Sequence, residues 1–185
     1  MTAAPVRRPR RHDPGRRDRL VATTVEVIAQ AGVVGATHRA IARAADVPLG
    51  SLTYHFASLD ELHTAAFTRH VDDVAPRFDE RMATAPDGAA ALEVLVGHLT
   101  DDLLASHRDF VLAVELYAAA ARRPALRAVT QDWMLRSRRS LERHFDPVTA
   151  REIDAMVEGL TLHSALSTDP MTPAQIRAAF SRFAR

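Results

Sequence analysis

The run Thr37-His38-Arg39-Ala40-Ile41-Ala42-Arg43-Ala44-Ala45-Asp46-Val47-Pro48-Leu49-Gly50-Ser51-Leu52-Thr53-Tyr54-His55-Phe56 decides the fold. Thr37 is a good cap for a short helix from His38 to Ala45, with Ile41, Ala42 and Ala45 on its inner face. Asp46, Val47 and Pro48 then form a tight turn, since Asp tolerates the left-handed conformation and Pro suits the first turn of the helix it begins. A second short helix runs from about Leu49 to His55 and turns Leu52 and Phe56 inward. Two short helices across such a turn, with small Ala42 at their crossing and Ile41, Val47 and Leu52 buried, form a helix-turn-helix. The outward positions of the second helix are small, hydroxylic or aromatic rather than acidic. Entry into a DNA major groove, about 12 Å wide, requires that.

The neighbouring segments extend the helical pattern. Asp18 can cap a helix that carries Leu20, Val21, Thr24, Val25 and Ile28 to about Ala31, and Gly32 stops it. Ser58-Leu59-Asp60-Glu61 reads as a capping box that starts a fourth, longer helix toward Phe78. Further helices are predicted over Ala89 to Ser106, Phe110 to Ala121, Pro124 to about Phe145 and Thr149 to Leu166, with a last one from Thr172-Pro173 to Ala184. The Phe110 to Ala121 segment is apolar on nearly all sides and is expected to be central. The segment Thr149 to Leu166 has one apolar face through Ile153, Val157 and Leu160 and a second through Ala155, Gly159, Leu162 and Leu166. Its second face needs another partner. An all-α fold of about nine helices follows, with an N-terminal helix-turn-helix domain and a C-terminal helical domain. The last two helices, Thr149 to Leu166 and Pro173 to Ala184, are expected to form a four-helix homodimer interface.

Composition narrows the function. The 185 residues include 24 basic residues, all Arg, against 23 acidic ones. That near balance conceals an arm, because residues 1 to 19 hold seven Arg against Asp13 and Asp18. A basic arm on a mildly acidic body suits a polyanionic partner. With no Cys there is no disulfide, thiolate nucleophile or Cys-ligated zinc, and the expected compartment is the cytoplasm. No run is long and apolar enough for a membrane helix, and Asp13, Pro14 and Gly15 sit where a secretory apolar region should begin. The expected organisation is a basic arm over 1–17, a DNA-binding domain over 18–67 and an effector-binding and dimerisation domain over 68–185.

The run Thr37 to Ala42, then Asp46 to Phe56, then Ser58 to Leu62, resembles the DNA-binding domain of TetR-family transcriptional regulators. The resemblance implies a homodimer that places two recognition helices in successive major grooves of a palindromic operator, usually to repress, and a small molecule that releases it. By position it implies Arg39 as a base reader, since a guanidinium can bond guanine O6 and N7 together. Leu49, Gly50 and Ser51 fall at base-facing positions, Thr53, Tyr54 and His55 at positions facing phosphates or bases, and Thr37 at a cap that can also bond a phosphate. The family usually has Gly at Asp46, Tyr at Thr53 and Lys at Leu59. Leu59 forfeits a phosphate contact, for which the arm, Arg10 and Arg11 included, can compensate.

The effector is not legible. His98, Glu115, Tyr117, Trp133 and His163 lie on helices expected to surround a pocket, and a buried Glu115 could select a cationic or hydrogen-bonding ligand. A second arginine cluster, Arg122, Arg123, Arg127, Arg136, Arg138, Arg139 and Arg143, reads as a solvated face. No metal or cofactor is expected. A small helical enzyme is disfavoured, because no Glu has a His three residues later and no phosphate-binding or nucleophile motif occurs. An all-α protein-interaction module would show an apolar groove without a closed pocket or DNA selectivity.

Overall fold

The computed structural model describes residues 15–184. Arg10 and Arg11 therefore lie outside the described residues. Among the described residues every regular element is a helix.

Helix α1 (Arg16–Gly35) begins two residues before the predicted cap. Gly15 occupies the cap position and its carbonyl accepts the Arg19 N–H at 3.0 Å, so Asp18 sits inside the first turn, where it complements the helix dipole instead. The chain breaks at Gly32, whose φ of 68° and ψ of 173° suit glycine almost alone, and a short turn follows to Gly35. Thr37 caps α2 (His38–Ala44) by accepting the Ala40 N–H at 3.2 Å. Asp46, at φ 50°, turns the chain in the left-handed region, and α3 (Gly50–His55) follows.

Helix α4 (Leu59–Ala83) is 25 residues long, or about 37 Å at 1.5 Å per residue. Ser58 caps it by accepting the Glu61 N–H at 3.1 Å, while Glu61 reaches back to the Ala57 N–H at 2.7 Å. Helix α4 joins two cores. Its first part, through Leu62, Phe67, Val71 and Ala75, packs with α1, α2 and α3. Its last turns, through Phe78 and Met82, enter a second core built from α5 (Gly88–Gly97), α8 (Pro147–Leu166) and α9 (Pro173–Phe180).

The first core also contains Leu112, Leu116 and Ala120 of α6 (His107–Ala120) and Leu126 and Val129 of α7 (Pro124–Leu141). The packing therefore does not divide between residues 67 and 68. The predicted helix over Ala89 to Ser106 is α5 followed by a π-helical segment, His98–Leu103. Helix α7 stops four residues short of Phe145, and α9 ends at Phe180, with a 3-10 turn over Ser181–Phe183. Nor is α6 enclosed all round: Leu112 and Leu116 are buried, but Val114 is 37% exposed.

The second arginine cluster is not a simple solvated face. Arg136 meets Asp72 at 2.7 Å, Arg143 meets Asp79 at 2.9 Å and Arg138 meets Asp154 at 3.1 Å, tying α7 and the turn after it to α4 and α8. Arg122, Arg127 and Arg139 are exposed as expected.

Candidate nucleic-acid interface and cavity

The corner between α2 and α3 is fixed by its own backbone. Val47 N–H donates to the Ala42 carbonyl at 3.0 Å and Asp46 N–H to the Arg43 carbonyl at 3.2 Å, which closes α2 through the left-handed residue. Ile41, Leu52 and Phe56 are buried beneath it. The Arg17 guanidinium lies 4.9 Å from the centre of the Phe56 ring and ties the start of α1 to the end of α3.

Above this base Thr37, Arg39, Leu49, Gly50 and Thr53 are exposed, Ser51 and His55 are half-buried, and Tyr54 is 84% exposed. Tyr54 stands edge-on to His55, with ring centres 5.0 Å apart. A Cβ added at Gly50 would meet no atom within 4 Å, so the protein's own packing does not demand glycine there. Leu59 opens α4 half-buried, leaving no cation at the position where the family usually has Lys.

A cavity of about 1000 Å³ lies between α4, the π-helical segment, α6, α7 and α8. His98, Tyr117 and Trp133 line it, as the sequence reading placed them; Glu115 and His163 do not. Glu115 faces the other way, and its carboxylate accepts the Val33 N–H at 2.8 Å, beside Gly32. His163 is on the exposed side of α8. The second face of α8 is also partly reassigned, for Ala155, Gly159 and Leu162 border the cavity, whereas Leu166 is 68% exposed.

Several lining residues escaped the sequence reading, foremost Glu158 and His70. The signal for Glu158 was an acid in the middle of the second apolar face of α8. Tyr117 and Trp133 lie nearly parallel, 10° apart with centres at 6.1 Å, and His70 meets Trp133 edge-on at 6.0 Å. Tyr117 O–H donates to Glu158 Oε1 at 2.9 Å. Asp102 is shared by Arg81 at 2.7 Å and His98 at 2.9 Å, and Asp154 is held by Arg138.

Titration follows burial. Desolvation holds His70 and His98 below the usual imidazole range, although Asp109 and Asp102 respectively oppose it. Desolvation and the adjacent Glu158 push Tyr117 far upward, so its hydroxyl keeps its proton.

Three polar links run from the cavity helices to the helix-turn-helix unit. Glu115 of α6 holds Val33 at the end of α1. Arg108 of α6 donates Nε–H to Glu26 of α1 at 3.2 Å and Nη1–H to Asp109 on the cavity wall at 2.8 Å. Arg123, just before α7, lies 3.2 Å from both Asp60 and His63 Nδ1. His63 Nε2 is 2.8 Å from the Ala36 carbonyl, so Nε2 carries the proton and Nδ1 accepts from Arg123.

A helix-turn-helix presented by three shared helices, backed by a cavity in the same helices, defines a ligand-responsive DNA-binding regulator. Residues 20–66 match the family model for bacterial regulatory proteins of the tetR family, and residues 83–185 match that for the tetracyclin repressor-like C-terminal domain. The chain belongs to the TetR family of transcriptional regulators. It is 26% identical over 182 residues to the HTH-type transcriptional regulator BetI of Klebsiella pneumoniae (strain 342), covering 93% of each chain. Among solved structures, SCO7518 from Streptomyces coelicolor A3(2) is 47% identical with a TM-score of 0.83, covering 91% of this chain and 98% of that one. The multidrug binding protein EbrR, complexed with ethidium, is 36% identical with a TM-score of 0.78, covering 90% and 97%.

Proposed function

We propose that this regulator is a homodimeric repressor that holds a palindromic operator through α2 and α3 and leaves it when a small molecule fills the cavity. The observation that carries the reading is the sharing of helices: α4, α6 and α7 line the cavity and also contribute to the core beneath the recognition helix. Arg39 reads a base edge, Leu49, Gly50 and Ser51 approach the groove floor, and Thr37, Thr53, Tyr54 and His55 meet phosphates or bases. The arm, residues 1–17, adds contacts that do not depend on sequence. Dimerisation uses the outer surface of α8, where Leu166 and Val148 are 68% and 67% exposed, together with α9, whose Ile176 and Phe180 are already buried in the chain's own core. The protein works in the cytoplasm.

A two-state dimer explains the release. An effector favours a setting of α4 and α6 in which the two recognition helices no longer match half-sites about 34–36 Å apart. Similarity to EbrR, which has been crystallised with malachite green, makes that dye a suitable first effector. The test is to select bound fragments from random DNA at several salt concentrations, then follow operator anisotropy during titration with the dye. A symmetric site released by a compound that binds the protein supports the reading. Selection of no consensus would overturn it.

A further inference from the structure

Two carboxylates on the cavity wall stand outside any ion pair among the described residues: Glu80, which is exposed, and Glu158, which is half-buried and hydrogen-bonded to a neutral group alone. Asp102 and Asp154 have guanidinium partners, and Asp109 has Arg108. Glu158 has the Tyr117 hydroxyl, and among the described residues no ion pair reaches it. The groups around it come from four helices. Tyr117 of α6 keeps its proton, Arg138 of α7 and Asp154 of α8 are paired with each other, and His70 of α4, against the edge of Trp133, is held below the usual imidazole range by burial. A half-buried carboxylate without a cation is costly, so the cavity either lifts Glu158 toward its protonated form or invites a cation. Beside it the Tyr117 and Trp133 rings supply apolar surface whose π faces attract positive charge.

We propose that Glu158 selects the effector, taking the charge of a flat organic monocation laid along Tyr117 and Trp133, and that it gives up a proton as the cation enters. The proposal rests on the cavity being the effector site. The carboxyl O–H bond breaks, the proton passes to solvent through the open side of the cavity, and the carboxylate left behind neutralises the ligand. Glu80 is open to solvent, so Glu158 is the carboxylate beside the rings that lacks both a cation and full hydration, and it sets the preferred charge at one. Desolvation, with Asp154 adding to it, holds Glu158 above the ordinary carboxylate range, while the Tyr117 hydroxyl opposes the rise. Without a ligand Glu158 therefore holds its proton more readily than an ordinary carboxylate, and the entering cation draws that proton off.

The test uses the full-length protein without DNA and two ligands of nearly one shape: 10-methylacridinium, a permanent cation, and acridine, neutral at and above neutral pH. The wild type is expected to bind the cation at least tenfold more tightly at neutral pH. Its affinity for the cation is expected to fall as pH is lowered, and the heat of binding to depend on the buffer as proton release requires. Glu158→Gln is expected to erase the preference and the pH dependence while leaving acridine binding within about twofold. Tyr117→Phe keeps the carboxylate and loses its donor, so it should keep the preference and move the pH midpoint upward. That variant also covers the case in which Glu158→Gln fails to fold. Retention of the preference in Glu158→Gln, or pH-independent binding of the cation by the wild type, would overturn the proposal. Binding of both ligands without preference sinks this proposal and leaves the cavity as effector site intact. Failure of both to bind, for a protein whose operator release maps to another surface, removes both readings.

Discussion

Glu115→Ala separates two roles for the same carboxylate. In the structure Glu115 Oε2 accepts the Val33 N–H at 2.8 Å, and Val33 is 8% exposed, so water cannot readily replace the acceptor. A hydrogen bond to a charged group is worth about 1.5–3 kcal/mol, and a loss of about 2 kcal/mol is expected. For a chain of this size 1 kcal/mol moves Tm by roughly 2–4 °C, which gives a fall of about 4–8 °C in calorimetry at fixed protein concentration. Glu115→Gln keeps an acceptor oxygen and should lose less than half as much. Gly32→Ala attacks the same corner from the other side. The backbone there, at φ 68°, is strained for any L side chain, and the added Cβ would stand 2.8 Å from Glu115 Oε1. Together the two changes should cost less than their sum, because removing the carboxylate removes the clash. The affinity for a cavity ligand should be unchanged in Glu115→Ala. An unchanged Tm with lost ligand affinity would refute the reasoning and return Glu115 to the cavity wall.

Arg39→Ala should weaken operator binding by about 1–3 kcal/mol and relax one base position, whereas removal of residues 1–14 should weaken binding to all sequences and flatten the salt dependence. An equal loss on operator and random DNA for Arg39→Ala would remove its base-reading role. Gly50→Ala should leave Tm unchanged or slightly raised, since its Cβ meets open space, yet lower operator affinity in an anisotropy titration; unaltered affinity would show that DNA does not approach there. Burial holds His63, His70 and His98 below the usual imidazole range, so the unfolded chain binds protons more readily than the folded one. The stability this represents is present above about pH 6.5 and is lost as pH falls below it, with Glu158, whose shift is opposite, returning part. His63→Gln should reduce the fall in Tm between pH 7.5 and 5.5, and an unaltered fall would clear His63 of that role.

The helix-turn-helix was legible because its signals are local. Thr37, Ser58 and Asp46 act within three residues of where they sit, and each performs the expected cap or turn. What failed depends on helix phase against distant neighbours. Glu115 and Glu158 are both acids in apolar helices, and only the rotation of α6 and α8 decides that the first meets α1 and the second meets the void. Periodicity reveals that α8 has two apolar faces but not that one of them borders a cavity. The arginines of α7 and the turn after it looked solvated because the partners of Arg136 and Arg143 are 64 residues away in sequence. The π-helical segment left no trace, since Leu95, Leu99 and Leu103 keep an ordinary helical spacing.

Magnitudes indicate how ligand and DNA can be coupled through α6. One side of α6 bears Phe110, Ala113 and Tyr117 on the cavity, and the other bears Arg108 and Glu115 on α1, so a shift that makes room for a ligand strains both. Taking operator-competent protein from 99:1 to 1:99 requires a differential of about 5.5 kcal/mol. Glu115 to Val33 supplies about 2 kcal/mol and Arg123 to His63 about 1 kcal/mol. Arg108 to Glu26, with both side chains about half exposed, supplies under about 1 kcal/mol after solvent screening. The polar links thus fall short by about 2 kcal/mol, an amount that two or three methylene groups of Leu112 and Leu116 moving against α1 would provide at about 0.8 kcal/mol each. If the cavity is the effector site, coupling is shared between the apolar contact of α6 with α1 and the hydrogen bonds that register it, and no single polar pair carries the switch.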